Sequence, residues 1–422
     1  VKVLQINYSD LHRGGGGAIA MYRLHQGLQE QGIASQILCK MKTLESSESL
    51  EIPQSPRLER QIQRWTQRIG LNDIHRVGSF KIRDLEAYQD ADVLHLHIIH
   101  SGFFNYLAIP TLTQQKPAIL TLHDMWALTG HCAYSYDCTR WQTGCGRCPY
   151  PKTAPAVRYD STHLEWKLKE WVYHHSNLAF VAPSRWMTEL AQTSLFNHLP
   201  IHYIPHGLDT NLFKPLNAAT CKDLLGIPAN KRVLLISAAD LNDRRKGMDL
   251  LIKALQHIPQ SLRSEIVLLA MGGRKVGLEK ELREFQILQL GYIEHEPLKA
   301  VVYSASDLFV FPTRADNSPL VLQESIACGT PTISFNVGGV PDLVRPGITG
   351  YLAAAEDAVD LSQGIASLLE DHAVRQKLSQ SCRAVALEEY SLTLQAQRHI
   401  QLYQQLLGSS LNSSAVLTTT TT

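Results

Sequence analysis

The sequence has no surplus of charge: 40 basic residues stand against 39 acidic ones, for a net charge of +1. A chain so balanced has no bulk field with which to recruit nucleic acid, and that class of partner is excluded. No apolar run approaches the ~20 residues that a membrane-spanning helix needs. No signal peptide is read at the start, where the chain opens directly on an apolar strand, so the expected location is cytoplasmic. The G-x-G-x-x-G dinucleotide fingerprint is missing, and there is no internal repeat beyond two successive strand–helix alternations. Cysteine is concentrated in one stretch, with Cys132, Cys138, Cys145 and Cys148 making up half of the chain's 8.

What is present is an ordinary globular composition, 44% hydrophobic and 19% charged, over 422 residues. That length is too great for one core and fits two domains. A glycine- and proline-rich segment at 207–215 marks the boundary. The expected division is 1–208 and 209–390, then a final helix at 391–407 and a disordered, threonine-rich tail at 408–422.

Residues 1–7 read as a buried strand running into a polar turn and four glycines, Gly14, Gly15, Gly16 and Gly17. A helix at 18–31 and a strand at 33–39 follow. In such a unit the glycines let backbone N–H groups approach a phosphate closely, or they simply form a flexible turn. At 57–70 a helical face carries Leu58, Ile62, Trp65 and Ile69, flanked by Arg57, Arg60, Arg64 and Arg68. That pattern suits peripheral contact with an anionic membrane, or docking of the apolar face on the protein's own domain.

Two short strands, 92–97 and 118–122, run into histidines. In open parallel sheets ligands bind beyond the carboxyl ends of strands, so among the 18 histidines His123 is the candidate, with Asp124 beside it to orient a ring. The cysteines at C-x5-C-x6-C-x2-C spacing suggest a structural zinc site. Four thiolate ligands would leave no open position, so that site would hold a loop and take no part in catalysis.

After the boundary, strands are expected at 233–238, 265–271, 287–293, 308–312 and 330–335. The first runs into Asp240-Leu241-Asn242-Asp243-Arg244-Arg245-Lys246-Gly247. Three adjacent cations at a strand-to-helix loop suit a diphosphate, the guanidinium as a planar fork and the ammonium as a point charge. Farther on, Asp316 and Glu324 lie eight residues apart, separated by Asn317-Ser318-Pro319 and an apolar helix at 320–327. A helix starting near Ser318 would aim unpaired N–H groups at an anion, with one carboxylate before its start and one two turns in. That arrangement suits a nucleotide sugar; the alternative is a capping aspartate and a solvated glutamate.

Together these segments resemble the family-4 retaining glycosyltransferases. The acids resemble that family's E-x7-E motif, and Ala327-Cys328-Gly329-Thr330-Pro331-Thr332-Ile333 its A-x-G-x-P-x-I. Further likeness lies in Gly16-Gly17, His123, Ile204-Pro205-His206-Gly207-Leu208-Asp209, Arg245-Lys246-Gly247 and Val337-Gly338-Gly339-Val340-Pro341-Asp342. The cysteine-bearing block is similar to the branch acting in exopolysaccharide and lipopolysaccharide assembly.

The resemblance implies an α/β GT-B architecture, two facing Rossmann-like domains with the donor in the cleft. It implies hexose transfer, with retention, from a UDP- or GDP-sugar to a saccharide or lipid-linked saccharide, without a catalytic metal, at the inner face of the membrane. By position, Gly16 and Gly17 would meet the donor phosphates and Arg245 and Lys246 the diphosphate. Ser318 and Leu320 would be donor-binding, and Glu324 would take the ribose hydroxyls. Asp316 would stand near the transferred sugar and His123 on its acceptor side. Three positions depart from the pattern: Asp316 replaces the first glutamate, Asp240 stands where relatives carry a phosphate-binding arginine, and Pro319 where many have glycine. These departures leave open a degenerate nucleotide-sugar-binding protein. A sugar-nucleotide epimerase of the same architecture is the other alternative. A phosphorylase would need a cofactor-lysine signature that is absent.

Overall fold

The computed structural model describes residues 1–11, 15–273 and 277–418, with side chains as far as residue 408. Gly14 of the glycine run and the final residues 419–422 lie outside the described residues. The chain forms two compact units, Val1–His206 with the chain from Thr393 onward, and Gly207–Leu392.

The first unit is a seven-stranded sheet. Its strands are β1 (Lys2–Ser9), β2 (Ala34–Met41), β3 (Ser49–Glu51), β4 (Val93–Leu96), β5 (Ala118–Thr121), β6 (Leu178–Ala182) and β7 (Ile201–Tyr203). They lie in the order β3-β2-β1-β4-β5-β6-β7, every pairing parallel. The second unit has six: β8 (Arg232–Ala238), β9 (Ile266–Gly272), β10 (Gln286–Gly291), β11 (Leu308–Phe311), β12 (Thr332–Phe335) and β13 (Gly350–Ala353). Their order is β10-β9-β8-β11-β12-β13, again all parallel. Each sheet is doubly wound, and its order reverses once, between β1 and β4 and between β8 and β11. Those switch points are where an open parallel sheet leaves a crevice for a ligand.

A parallel sheet covered on both faces needs strands that are apolar on both sides, and β6 (L-A-F-V-A) and β9 (I-V-L-L-A-M-G) are buried throughout. The two faces pack against different elements. Leu4 and Ile6 of β1 join the larger core, whereas Val3, Val93, Ile119 and Val181 pack with Ala396, Leu402 and Tyr403 of the last helix. That helix runs Leu392–Thr418, so the segment from Gly408 to Thr418 is helical and not the disordered tail its composition suggested. Two strands were not anticipated: β3, three residues long, and β13, four residues long.

The basic helix spans Pro56–Arg68, and its buried residues are Glu59 and Thr66. Of the apolar face, Leu58, Trp65 and Ile69 are 50%, 68% and 55% exposed and Ile62 is half-buried, so most of that face is not docked on its own domain.

Candidate functional site

At the switch point of the second unit, the loop after β8 is clamped to the loop after β11. Thr313 Oγ1 and the Arg314 N–H both donate to the Arg245 carbonyl, at 3.1 and 2.8 Å. The Arg314 guanidinium grips both carboxylate oxygens of Asp249 at 2.8 and 2.7 Å. Gly247 closes the cationic turn at φ +68°, and a Cβ there would overlap the Pro312 carbonyl, so this position of the Arg-Lys-Gly motif requires glycine.

The clamp brings Arg245, Lys246 and Asp316 together. Asp316 Oδ2 accepts from Lys246 Nζ at 2.7 Å and from Arg245 Nη1 at 3.1 Å, while Oδ1 accepts from the Asn317 N–H at 3.0 Å. Burial alone would push the Asp316 carboxyl up; the Lys246 and Arg245 charges outweigh it and hold the group below the usual carboxylate range. Asp240 is turned to its own loop, accepting from the Asn242 backbone and side-chain N–H groups at 2.8 and 3.1 Å.

The helix after Asp316 runs Leu320–Ala327, as the apolar run indicated, with Pro319 at its cap. Ser318 is half-buried and Leu320 buried at that start. Glu324 is not a solvated helix residue: it is 2% exposed, and Oε2 accepts from the Tyr303 hydroxyl at 3.0 Å. The Val-Gly-Gly-Val-Pro-Asp segment folds onto the same motif. The Gly339 N–H donates to the Asp316 carbonyl at 3.0 Å, and a Cβ on Gly338 would overlap that carbonyl oxygen.

In the first unit, Gly16 and Gly17 lie in the first turn of the helix Gly15–Glu30, which follows β1. Gly16 faces open space; a Cβ on Gly17 would overlap the Ile98 side chain and lie 3.6 Å from His123 Cγ. The glycine start and His123 are thus adjacent, as helix and strand end at one switch point. Asp124 does not orient His123. It accepts from the Trp126 N–H at 2.8 Å and pairs with His100 Nε2 at 3.0 Å.

His123 instead contacts His97, Nε2 to Nδ1 at 3.0 Å, and stacks on His206 with ring centroids 5.2 Å apart. Burial pushes the His123 imidazole down to about 4, and pushes His95, His97 and His206 well below the usual value. His97 was visible in the sequence as the end of Val93-Leu94-His95-Leu96-His97, on the same strand-end argument that selected His123. Tyr303, carried in by the helix Glu296–Ser304, left no such signal.

Among the described residues no group of three or more His, Cys, Asp or Glu side chains is arranged to hold a metal ion. The zinc site expected at Cys132, Cys138, Cys145 and Cys148 is therefore not formed. Burial raises the Cys132 and Cys145 thiols to about 12 and about 11. Hydrogen bonds hold this loop instead: the Gly130 N–H donates to Cys145 Sγ at 3.1 Å, and His131 Nε2 lies 3.2 Å from Cys148 Sγ.

Comparison with known proteins follows the division into units. Residues 14–212 match the family described as Glycosyltransferase Family 4, and residues 224–385 match Glycosyl transferases group 1. With both halves matched in order, the chain is a glycosyltransferase of the GT-B kind. It is 24% identical over 384 residues to the putative colanic acid biosynthesis glycosyl transferase WcaC of Escherichia coli (strain K12), covering 86% of this chain and 90% of that protein. In fold it is similar to sucrose-phosphate synthase from Thermosynechococcus elongatus, with a TM-score of 0.71 at 20% identity over 97% of this chain and 100% of that one. It is also similar to Anabaena Alr3699/HepE in complex with UDP and glucose, with a TM-score of 0.65 at 15% identity over 96% and 99%.

Proposed function

We propose that this chain transfers a hexose from a UDP- or GDP-sugar to a saccharide or lipid-linked saccharide in polysaccharide assembly, with retention and without a catalytic metal. The observation that carries the reading is the Arg245–Lys246–Asp316 cluster at the β8/β11 switch point, beside the start of the helix Leu320–Ala327. As the sugar departs, negative charge grows on the diphosphate, and cations already fixed there stabilise that state more than the ground state. An ammonium has three N–H donors and a guanidinium five, so pairing with one carboxylate oxygen exhausts neither. They supply the positive charge that a magnesium ion supplies elsewhere.

In this reading Ser318 and Leu320 border the diphosphate, Glu324 takes the ribose hydroxyls, and Gly16 and Gly17 offer N–H groups to phosphate. His123, neutral, contacts the sugar on its acceptor side, and the leaving phosphate helps to deprotonate the acceptor hydroxyl on the same face. UDP is favoured by the fold neighbour solved with UDP and glucose, and a polysaccharide acceptor by the relative in colanic acid biosynthesis. No helix among the described residues is long and apolar enough to cross a membrane. Access to a lipid-linked acceptor from the cytoplasmic face would run through the exposed basic helix Pro56–Arg68.

A second reading, a binding protein that holds nucleotide sugar without turnover, is favoured by one observation: the Asp316 carboxylate already engages both cations. Incubation with a panel of nucleotide sugars, with and without membrane lipid extract, separates the two. Release of UDP or GDP that depends on the extract supports transfer; tight binding with no release from any donor leaves the second reading.

A further inference from the structure

His75 is 5% exposed, and neither of its ring nitrogens has a hydrogen-bond partner among the described residues. Arg76 Nε, next along the chain, is buried and equally unpaired. Native structures rarely leave buried donors and acceptors unmet, so two neighbouring side chains with such atoms point to a ligand that meets them.

Two cations border these atoms at the carboxyl edge of the first sheet. Lys40, near the end of β2, donates from Nζ to the carbonyl of Gly102 at 3.2 Å, in the turn that follows β4. Arg76 Nη1 holds Glu59 Oε2 at 3.0 Å, and a Cβ on Gly102 would lie 3.7 Å from Arg76 Nη2. Both cations thus meet at Gly102, and both charges act on the His75 ring, which burial and these neighbours push down to about 4. After burial, the Arg76 charge also lowers the Lys40 ammonium. Like charges held close in a half-buried place disfavour each other, and an anion beside them offsets that. Ligands of open parallel sheets bind along this edge.

Donors remain for such an anion. Lys40 uses one of its three N–H groups on Gly102, and Arg76 spends Nη1 on Glu59. The neighbouring carboxyl groups are committed: Glu59 accepts from Arg76 and from the Ser55 and Gly78 N–H groups, and Asp73 from the Gly102 N–H, with burial raising the Asp73 carboxyl toward its uncharged form. A neutral His75 offers one N–H to an oxyanion and one lone pair to a hydroxyl beside it. A phosphate carried on a saccharide supplies both.

We propose that Lys40, His75 and Arg76 bind a phosphate group carried by the saccharide acceptor. The phosphate site stands on the geometry alone; its assignment to the acceptor rests on the transfer reading. Two sources present the same oxyanion, a soluble glycosyl phosphate and the diphosphate of a lipid-linked saccharide.

The test follows ¹⁵N chemical shifts of histidine-labelled full-length protein, with His75 assigned through His75→Gln, so that occupancy is read apart from any binding at Arg245 and Lys246. Inorganic phosphate, added at constant ionic strength, should shift the His75 signals saturably. Lys40→Gln, which keeps an N–H for Gly102, should weaken that binding roughly tenfold. Arg76→Ala would strand the buried Glu59, so the second variant is Arg76→Lys, which keeps the ion pair, gives up the fork and should weaken binding several-fold. His75 signals that do not move with phosphate, or equal affinity in the wild type and both variants, overturn the site. A hexose 1-phosphate and a short-chain prenyl diphosphate, titrated in the same way, separate the two sources, the tighter ligand identifying the acceptor's kind of phosphate. In turnover, Lys40→Gln should raise KM for the phosphorylated acceptor roughly tenfold while KM for the donor holds. Phosphate binding at His75 with an unchanged acceptor KM overturns the assignment to the acceptor. Phosphate binding with no nucleotide release from any donor upholds the site and refutes the transfer reading instead.

Discussion

The two switch points occupy the same place in the same doubly wound topology, yet they are built from opposite materials. Between β1 and β4 the polar groups are imidazoles stripped of charge by burial, ordered through single hydrogen bonds. Between β8 and β11 they are full charges, two cations on one buried carboxylate. Burial works against ionisation in both cases, and what differs is the partner supplied. Asp316 receives two cations and stays charged, whereas His97 and His123 receive each other and stay neutral. A neutral centre suits the polar but uncharged hydroxyls of a sugar, and a charged centre suits a diphosphate. The fold fixes where each ligand is met, and the partner residues fix which chemistry is met there.

The comparison breaks most sharply at Asp316. Asp316→Asn would leave two adjacent cations without their carboxylate, and the expected loss of stability is about 3 kcal/mol. Urea unfolding measures it, and a loss under about 1 kcal/mol would mean that the ion pairs are solvated and that the charged centre is not a buried one. Lys246→Ala, which leaves Asp316 paired to Arg245, should lower turnover by roughly 10²-fold if the ammonium stabilises the leaving diphosphate. Unchanged nucleotide release would remove Lys246 from the mechanism.

Acid sharpens the contrast between the units. The His123 pKa falls from the usual 6.5 to about 4 in the folded chain. The unfolded chain therefore takes the proton first, and stability is intact above about pH 6.5 and declines between about 6.5 and 4, by ~1.4 kcal/mol per pH unit for one such ring. The Asp316 contribution is whole above the usual carboxylate value of 3.8 and is lost only as pH falls below it. All 6 tryptophans, Trp65, Trp126, Trp141, Trp166, Trp171 and Trp186, belong to the first unit. Tryptophan fluorescence should report its transition at a higher pH than far-UV circular dichroism reports for the whole chain. Coincident transitions would mean that the buried imidazoles do not set acid stability.

How much of this was written locally explains what could be read in advance. The strand runs, the Arg-Lys-Gly turn and the Asp316–Glu324 spacing carry their reason within a few residues: apolar periodicity, a left-handed glycine, a helix start. The pairing of Asp316 with Lys246 joins positions 70 residues apart, and nothing near either one announces it. The same is true of the contacts that run from His123 through His97 and Gln5 to Ser35, which meet only because β5, β4, β1 and β2 are neighbours in the sheet. The cysteine spacing misled for the complementary reason: proximity in sequence suggested a ligand set that the loop, tied instead by Gly130 and His131, does not assemble.

The smallest expected effect concerns a surface that belongs to neither centre. In the helix Pro56–Arg68 the arginines Arg57, Arg60, Arg64 and Arg68 and the apolar Leu58 and Trp65 are all exposed, as is Ile69 just beyond it, with the Arg68 guanidinium 4.9 Å from the Trp65 ring centre. An indole beside guanidinium groups fits the level of phospholipid headgroups, the ring among the upper chains and the cations at the phosphates. The double substitution Trp65→Ala with Arg64→Ala removes one anchor and one cation, worth about 1 kcal/mol for the arginine alone at an anionic surface. Binding to vesicles of mixed zwitterionic and anionic phospholipid should fall roughly tenfold, and more steeply at low salt, where the arginine counts most. Stability should move by no more than about 0.5 kcal/mol, since Trp65 is largely solvated, and so should turnover of a soluble acceptor. Equal loss on purely zwitterionic vesicles would make the indole alone responsible. Undiminished binding to every vesicle would place membrane contact elsewhere in the chain and leave this face for a protein partner.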